Sequence, residues 1–188
     1  ELRVGDRVML ADGTVAMSVE EKASGRVRLR VVERGTIRSR QGINLPGVIL
    51  SVPTISEVDR EHAIWAAKAG IDFIGLSFVR SPNDVKQLKE IIASCKSTSR
   101  VVAKIEKREA LEQLDDIVVA ADAVMVARGD LGVETDVAQM PMEQKRIIAA
   151  CHRHRRPSII ATQMLESMQD SPRPTRAALN LLRRQHLS

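Results

Sequence analysis

The sequence predicts an α/β protein with a small all-β domain at its N-terminal end, and three observations carry that expectation. Hydrophobic periodicity changes near residue 46, from strict alternation to a mixture of apolar runs and helical spacing. Four short apolar strands follow, with starts at residues 71, 100, 122 and 158, or intervals of 29, 22 and 36 residues. Polar or charged residues then recur where each of those strands ends. The intervals suit repeated strand, crossover and helix units, and hence a parallel sheet.

From Val4 to about Arg40 the chain alternates, as in Arg26, Val27, Arg28, Leu29, Arg30 and Val31, with turn signals at Asp12-Gly13, Ser24-Gly25 and Gly35. Short antiparallel strands with one wet face are expected there. Leu45-Pro46-Gly47 and then Pro53 punctuate the chain, which sets the boundary. Beyond it, strands are expected over residues 71–78, 100–105, 122–127 and 158–162. Ser81 with Asp84 three positions later opens one helix as a capping box would, and Pro141 suits the first turn of another.

An open doubly wound sheet and a TIM-type (β/α)8 barrel both fit that spacing. The polar exceptions favour the barrel, whose working residues gather where strands end and loops begin. Ser77 follows Ile74-Gly75-Leu76, Lys104 and Glu106 follow Val101-Val102, Arg128 and Asp130 follow Val124-Met125-Val126, and Thr162 and Gln163 follow Ile159-Ile160. One design is repeated four times, so part of a barrel is expected.

Composition narrows the function classes. The 188 residues are 44% apolar and 28% charged, as in a globular protein rather than a disordered one. No run approaches the roughly 18 apolar residues of a membrane span, since Asp122 interrupts the most apolar stretch, 117–127. Cys95 and Cys151 are too few for a disulfide scaffold, so a reduced, cytoplasmic setting is expected. The start at Glu1 reads as internal to a longer protein. The net charge of +5 is mainly a property of the last residues, where Arg173, Arg176, Arg183 and Arg184 meet no acid. With only Phe73, Phe78 and Trp65 as stacking platforms, nucleic-acid binding is not expected.

Lys104 and Glu106 stand two apart on an extended segment, so both side chains project to the same side. An isolated pair of this kind more often neutralises itself in a barrel interior. Asp130, one strand along, supplies a second carboxylate, and two carboxylates with open positions are a common way to hold Mg²⁺ against a phosphate-bearing substrate. In Arg128-Gly129-Asp130-Leu131-Gly132, a short helix opening near Gly129 would turn free amides toward an anion. A tight turn using glycine explains the same residues, and Thr162 alone is ordinarily a satisfied core hydroxyl. Their convergence is the informative feature.

Three motifs are recognisable at this point. They are Val102-Ala103-Lys104-Ile105-Glu106, Met125-Val126-Ala127-Arg128-Gly129-Asp130-Leu131-Gly132-Val133-Glu134, and Ala161-Thr162-Gln163-Met164-Leu165-Glu166-Ser167-Met168 with Pro174-Thr175-Arg176-Ala177. They closely resemble the pyruvate kinase family. Gly42-Ile43-Asn44-Leu45-Pro46-Gly47, and Asp72-Phe73-Ile74 leading to Ser77-Phe78-Val79-Arg80, extend the likeness over about residues 4–177.

The resemblance implies a phosphotransferase that converts phosphoenolpyruvate and ADP to pyruvate and ATP, the last step of glycolysis. It implies residues 1–46 as part of a β lid domain, 47–177 as the central part of the barrel, and 178–188 as an atypical tail. By that analogy Lys104 neutralises the transferring phosphoryl group and the enolate oxygen, while Glu106 and Asp130 bind Mg²⁺ or Mn²⁺. The amides of Gly129 and Asp130, with the Thr162 hydroxyl, hold the substrate carboxylate, and Ser77 joins the substrate site. Thr162 also enters the proton path to the enolate carbon. The family further implies K⁺, with most of its ligands upstream of residue 1, and a homotetramer for the full-length protein.

Departures set further expectations. Many family members carry Lys where this chain has Gln41, near the nucleotide, and 178–188 does not follow the family pattern. Four strands cannot close an eight-stranded barrel, so the isolated chain is expected to be inactive. Cys151, His152 and His154 beside Arg153, Arg155 and Arg156 read as a basic helix terminus rather than a metal cluster. The first 45 residues could instead form a free-standing partner-binding module, although only Asp12 offers a polar focus there. Two rival functions remain at this point: a related Mg²⁺-dependent aldolase or lyase acting on pyruvate, and an inactive remnant that serves as an interaction protein.

Overall fold

A computed structural model describes residues 1–161 apart from 12, 136 and 137. Asp12, Thr162 with the rest of its motif, and the tail 178–188 lie outside the described residues.

The first sheet joins β1 (Arg7–Leu10), β2 (Val15–Ala23), β3 (Arg26–Glu33) and β4 (Ile43–Asn44) in the antiparallel order β3-β2-β1-β4. Ser24-Gly25 forms the two-residue connection from β2 to β3, with Gly25 at a φ of 73° that glycine adopts without a steric penalty. Val8, Val15, Met17 and Val19 form the buried core of this sheet. One wet face was expected throughout. In β3 both faces are wet, with Val31 and Val32 exposed and Leu29 alone packing toward the core, because β3 is an edge strand with no layer over it.

A stretch without helix or strand leads from Asn44 to α1 (Glu57–Lys68). Ser56 caps this helix reciprocally: its hydroxyl accepts from the Asp59 amide at 3.2 Å and the Asp59 carboxylate accepts from the Ser56 amide at 2.9 Å. The elements then alternate as β5 (Phe73–Leu76), α2 (Pro82–Ser94), β6 (Arg100–Ile105), α3 (Arg108–Glu112), α4 (Leu114–Ala120), β7 (Ala123–Val126), α5 (Arg128–Glu134), α6 (Met140–Arg153) and β8 (Ser158–Ile160). All four strands are parallel, in the order β5-β6-β7-β8. At α2 the Asp84 carboxylate accepts from the amides of Arg80 and Ser81, each at 2.9 Å, and Pro141 lies in the first turn of α6.

Alternation divides the parallel sheet into two faces. Val101, Ala103, Ile105, Val124 and Val126 are fully enclosed in a core shared with Val85, Ile91, Ile117, Leu131 and Ile147 of the helices. On the alternate face Val102 and Ala123 are also buried, while Gly75, Lys104, Met125 and Ile159 are half-buried or exposed. Among the described residues β5 and β8 each pair on one side only, so these four strands form an open sheet, where the sequence leads us to expect part of a barrel and not a closed one. β6 has the expected bounds, whereas β5 and β7 are shorter than expected. Residues 71–72 and 77–78 fall outside β5, and Phe78 adopts a left-handed φ of 54° that ends regular pairing.

The basic end of α6 is paired with α4. Arg153 and His154 each lie 2.6 Å from the Asp115 carboxylate, which these bonds hold below the usual range. Burial pushes the Cys151 thiol up to about 11. Among the described residues no helix is long and apolar enough to cross a membrane.

Candidate functional site

β6 carries Lys104, half-buried, on the more open face of the sheet. A Cβ at Gly75 would lie 3.9 Å from the Lys104 Cδ, an ordinary contact distance, so the Lys104 stem runs alongside β5. Its ammonium then meets two oxygens at the strand ends: Glu106 Oε1 at 2.6 Å and Ser77 Oγ at 2.9 Å. Glu106, only 1% exposed, uses its second oxygen to accept the Phe78 amide at 2.7 Å. Both oxygens of this buried carboxyl group therefore have a partner.

The expected pair is therefore brought together, and Ser77 with it. Asp130 stands one strand along, in the first turn of α5, which opens at Arg128 as the glycine pattern suggested. It lines a separate cleft of about 290 Å³ with Asn44 of the first sheet, Leu50, Thr54, Phe78, Arg80 and Lys107. Lys104 and Glu106 do not line that cleft. Phe78 joins the two places, since its backbone holds Glu106 while its ring lies in the cleft wall. Gly129 is exposed on the same helix, and Arg128 reaches back to donate to the Ala161 carbonyl at 3.0 Å. Thr162 lies outside the described residues.

Several contacts were not evident from the sequence. Lys107 forms a nearly buried ion pair with Glu134 at the end of α5 and stands 6.0 Å from the centre of the Phe78 ring. Burial raises the Glu134 carboxyl above its ordinary range; the Lys107 bond and charge and the Gly47 amide oppose that rise. Arg80, part of the recognisable Ser77–Arg80 motif, has its guanidinium on the segment before α1. No local pattern announces these partners, because each pair is at least 26 residues apart.

Among the described residues no three His, Cys, Asp or Glu side chains gather as a metal cage. Glu106 and Asp130 are oxygen donors of the kind that suits a hard divalent cation, but both Glu106 oxygens are engaged by Lys104 and Phe78, and Asp130 lines a cleft that Glu106 does not. The family model described as "Pyruvate kinase, barrel domain" matches residues 1–181. The chain belongs to the pyruvate kinase family. Pyruvate kinase of Mycobacterium tuberculosis is 46% identical over 173 residues, covering 92% of this chain and 37% of that protein. Pyruvate kinase 2 of Synechocystis is 43% identical over 182 residues, covering 96% and 31%. Pyruvate kinase of Geobacillus stearothermophilus is 41% identical over 180 residues, covering 94% and 31%. The chain thus spans about a third of the length of these relatives.

Proposed function

We propose that this chain forms the central part of a (β/α)8 catalytic barrel, residues 47–177, with part of a β lid in residues 1–46, and that the intact protein containing it transfers the phosphoryl group of phosphoenolpyruvate to ADP. The observation that carries the reading is the Lys104 ammonium held between Glu106 and Ser77 at one strand end, with α5 opening at the next. Phosphoryl transfer asks for positioning and for positive charge where negative charge accumulates, rather than for covalent chemistry by the protein.

In this reading Lys104 faces the transferring phosphoryl and then the enolate oxygen, stabilising negative charge as it develops. Ser77 orients the ammonium by accepting one of its hydrogens, and Glu106 lies against it as the counter-charge. Glu106 and Asp130 would hold Mg²⁺ or Mn²⁺, which when bound supplies a further positive charge for the phosphate oxygens. The Gly129 and Asp130 amides, with Thr162, receive the substrate carboxylate, and Thr162 belongs to the proton path to the enolate carbon. K⁺, a homotetrameric assembly and a cytoplasmic setting complete the reading by analogy with the family.

The test is Lys104→Ala in the intact enzyme. We expect pyruvate formation to fall by about 10³-fold, mainly in kcat, with Mg²⁺ binding by titration largely retained. Near-normal turnover overturns the role of Lys104. Product formation independent of ADP would instead point to a lyase or aldolase.

A further inference from the structure

We propose that Arg80 is a positioning residue that couples the segment joining the two sheets to the Lys104–Glu106 pair. The proposal deepens the functional reading above and rests on it for its kinetic arm, though not for its structural one.

The Arg80 guanidinium makes four hydrogen bonds to one short segment. Nη1 donates to the Leu50 carbonyl at 2.7 Å, Nη2 to the Val52 carbonyl at 2.6 Å and to Thr54 Oγ1 at 3.0 Å, and Nε to Thr54 Oγ1 at 3.2 Å. That segment contains no helix or strand, so these charge-assisted bonds replace the ladder that regular structure would provide. A planar fork of donors suits several acceptors presented at fixed angles, which a lysine cannot match.

The backbone of Arg80 is held equally firmly. Its amide donates to Asp84 at 2.9 Å and the preceding Val79 is fully enclosed. One residue further back stands Phe78, at a φ of 54° that an L side chain rarely adopts, and this conformation aims its amide at Glu106. Ser77 next to it receives the Lys104 ammonium. A strained residue persists only where its surroundings over-determine it. Here the supports are Glu106 on one side and the Arg80 grip on the other. Loosening the grip therefore releases the Phe78 amide from Glu106, and the carboxylate loses the donor that orients it.

A residue that merely staples the joining segment would leave Phe78 unaffected, and amide exchange distinguishes the two cases. In the intact enzyme, Arg80→Met is expected to speed exchange of the Val48, Ser51 and Phe78 amides by about tenfold or more, with Val101 to Ala103 unchanged. The kcat is expected to fall about tenfold, with Arg80→Lys recovering only part of the loss. Faster exchange at Val48 and Ser51 with Phe78 and kcat at their original values overturns the coupling, as does no change anywhere. If Arg80→Met speeds exchange at Val101 to Ala103 as well, Thr54→Val decides on the same criterion. It removes two of the four bonds without touching residues 77–81. An enzyme inactive toward phosphoenolpyruvate and ADP would sink the functional reading while leaving the exchange result to stand.

Discussion

The two sheets of this molecule are held by different forces. The parallel sheet has one face sealed by helices, with Val101, Ala103, Ile105, Val124 and Val126 fully enclosed. The antiparallel sheet has four buried core side chains and an edge strand wet on both faces. Its ion pairs Arg28–Glu21 and Arg30–Glu20 are largely exposed, and such pairs contribute little. The candidate chemistry stands on the sheet that packing makes rigid. The lighter sheet depends for its placement on polar ties in the joining segment, namely Arg80 with Leu50, Val52 and Thr54, and Glu134 with Gly47.

The largest effect that would sharpen this contrast is kinetic. Glu106→Ala in the intact enzyme should cut turnover by about 10³-fold, measured with saturating phosphoenolpyruvate and ADP, because Lys104 loses its buried counter-charge. Glu21→Ala on the antiparallel sheet should leave turnover within about twofold, since its pair is exposed. Equal losses would break the comparison.

Lys107→Met tests the polar tie. It leaves a buried carboxylate unpaired and should destabilise the protein by about 3 kcal/mol near pH 8, read from denaturant unfolding. Glu134 has a raised pKa in the folded state, so its contribution is present below the unfolded value and lost as pH rises. Without the cation that rise grows, and the loss at pH 8 should exceed the loss at pH 5. A pH-independent loss would mean that Glu134 is not the group left behind.

Packing gives the next contrast. Ile105→Ala in the enclosed core should cost about 3 kcal/mol, while Val31→Ala on the wet edge strand should cost under about 0.5 kcal/mol. Similar costs would show that the edge strand is buried against something.

Asp122→Asn should have the smallest effect of the buried-side changes. Burial alone would raise this carboxyl; the Lys89 bond at 2.8 Å, the Val101 amide at 2.8 Å and the charges of Lys89 and Arg156 together hold it below its ordinary range. A depressed carboxylate stabilises above its unfolded pKa and ceases to as pH falls through the folded one. The substitution should therefore cost about 1 kcal/mol at pH 7, and that cost should fade as pH falls below the ordinary carboxylate range. A constant difference across that range would reject the assignment.

The residues alone determined features governed by near neighbours in the chain. The change of period near residue 46, the four parallel strands in sequence order, the Ser81 and Asp84 cap, Pro141 in the first turn of its helix and the meeting of Lys104 with Glu106 all depend on spacings of one to four residues or on repeated periodicity. Only the tertiary structure decided that Phe78 turns left-handed to serve Glu106, that Lys107 pairs with Glu134, and that Asp130 lines a cleft that Lys104 does not. It also decided that Arg80 grips a segment about 30 residues earlier in the chain. Such contacts depend on how separately folded segments approach one another. A side chain with several donors has many acceptors open to it until packing leaves it only one set.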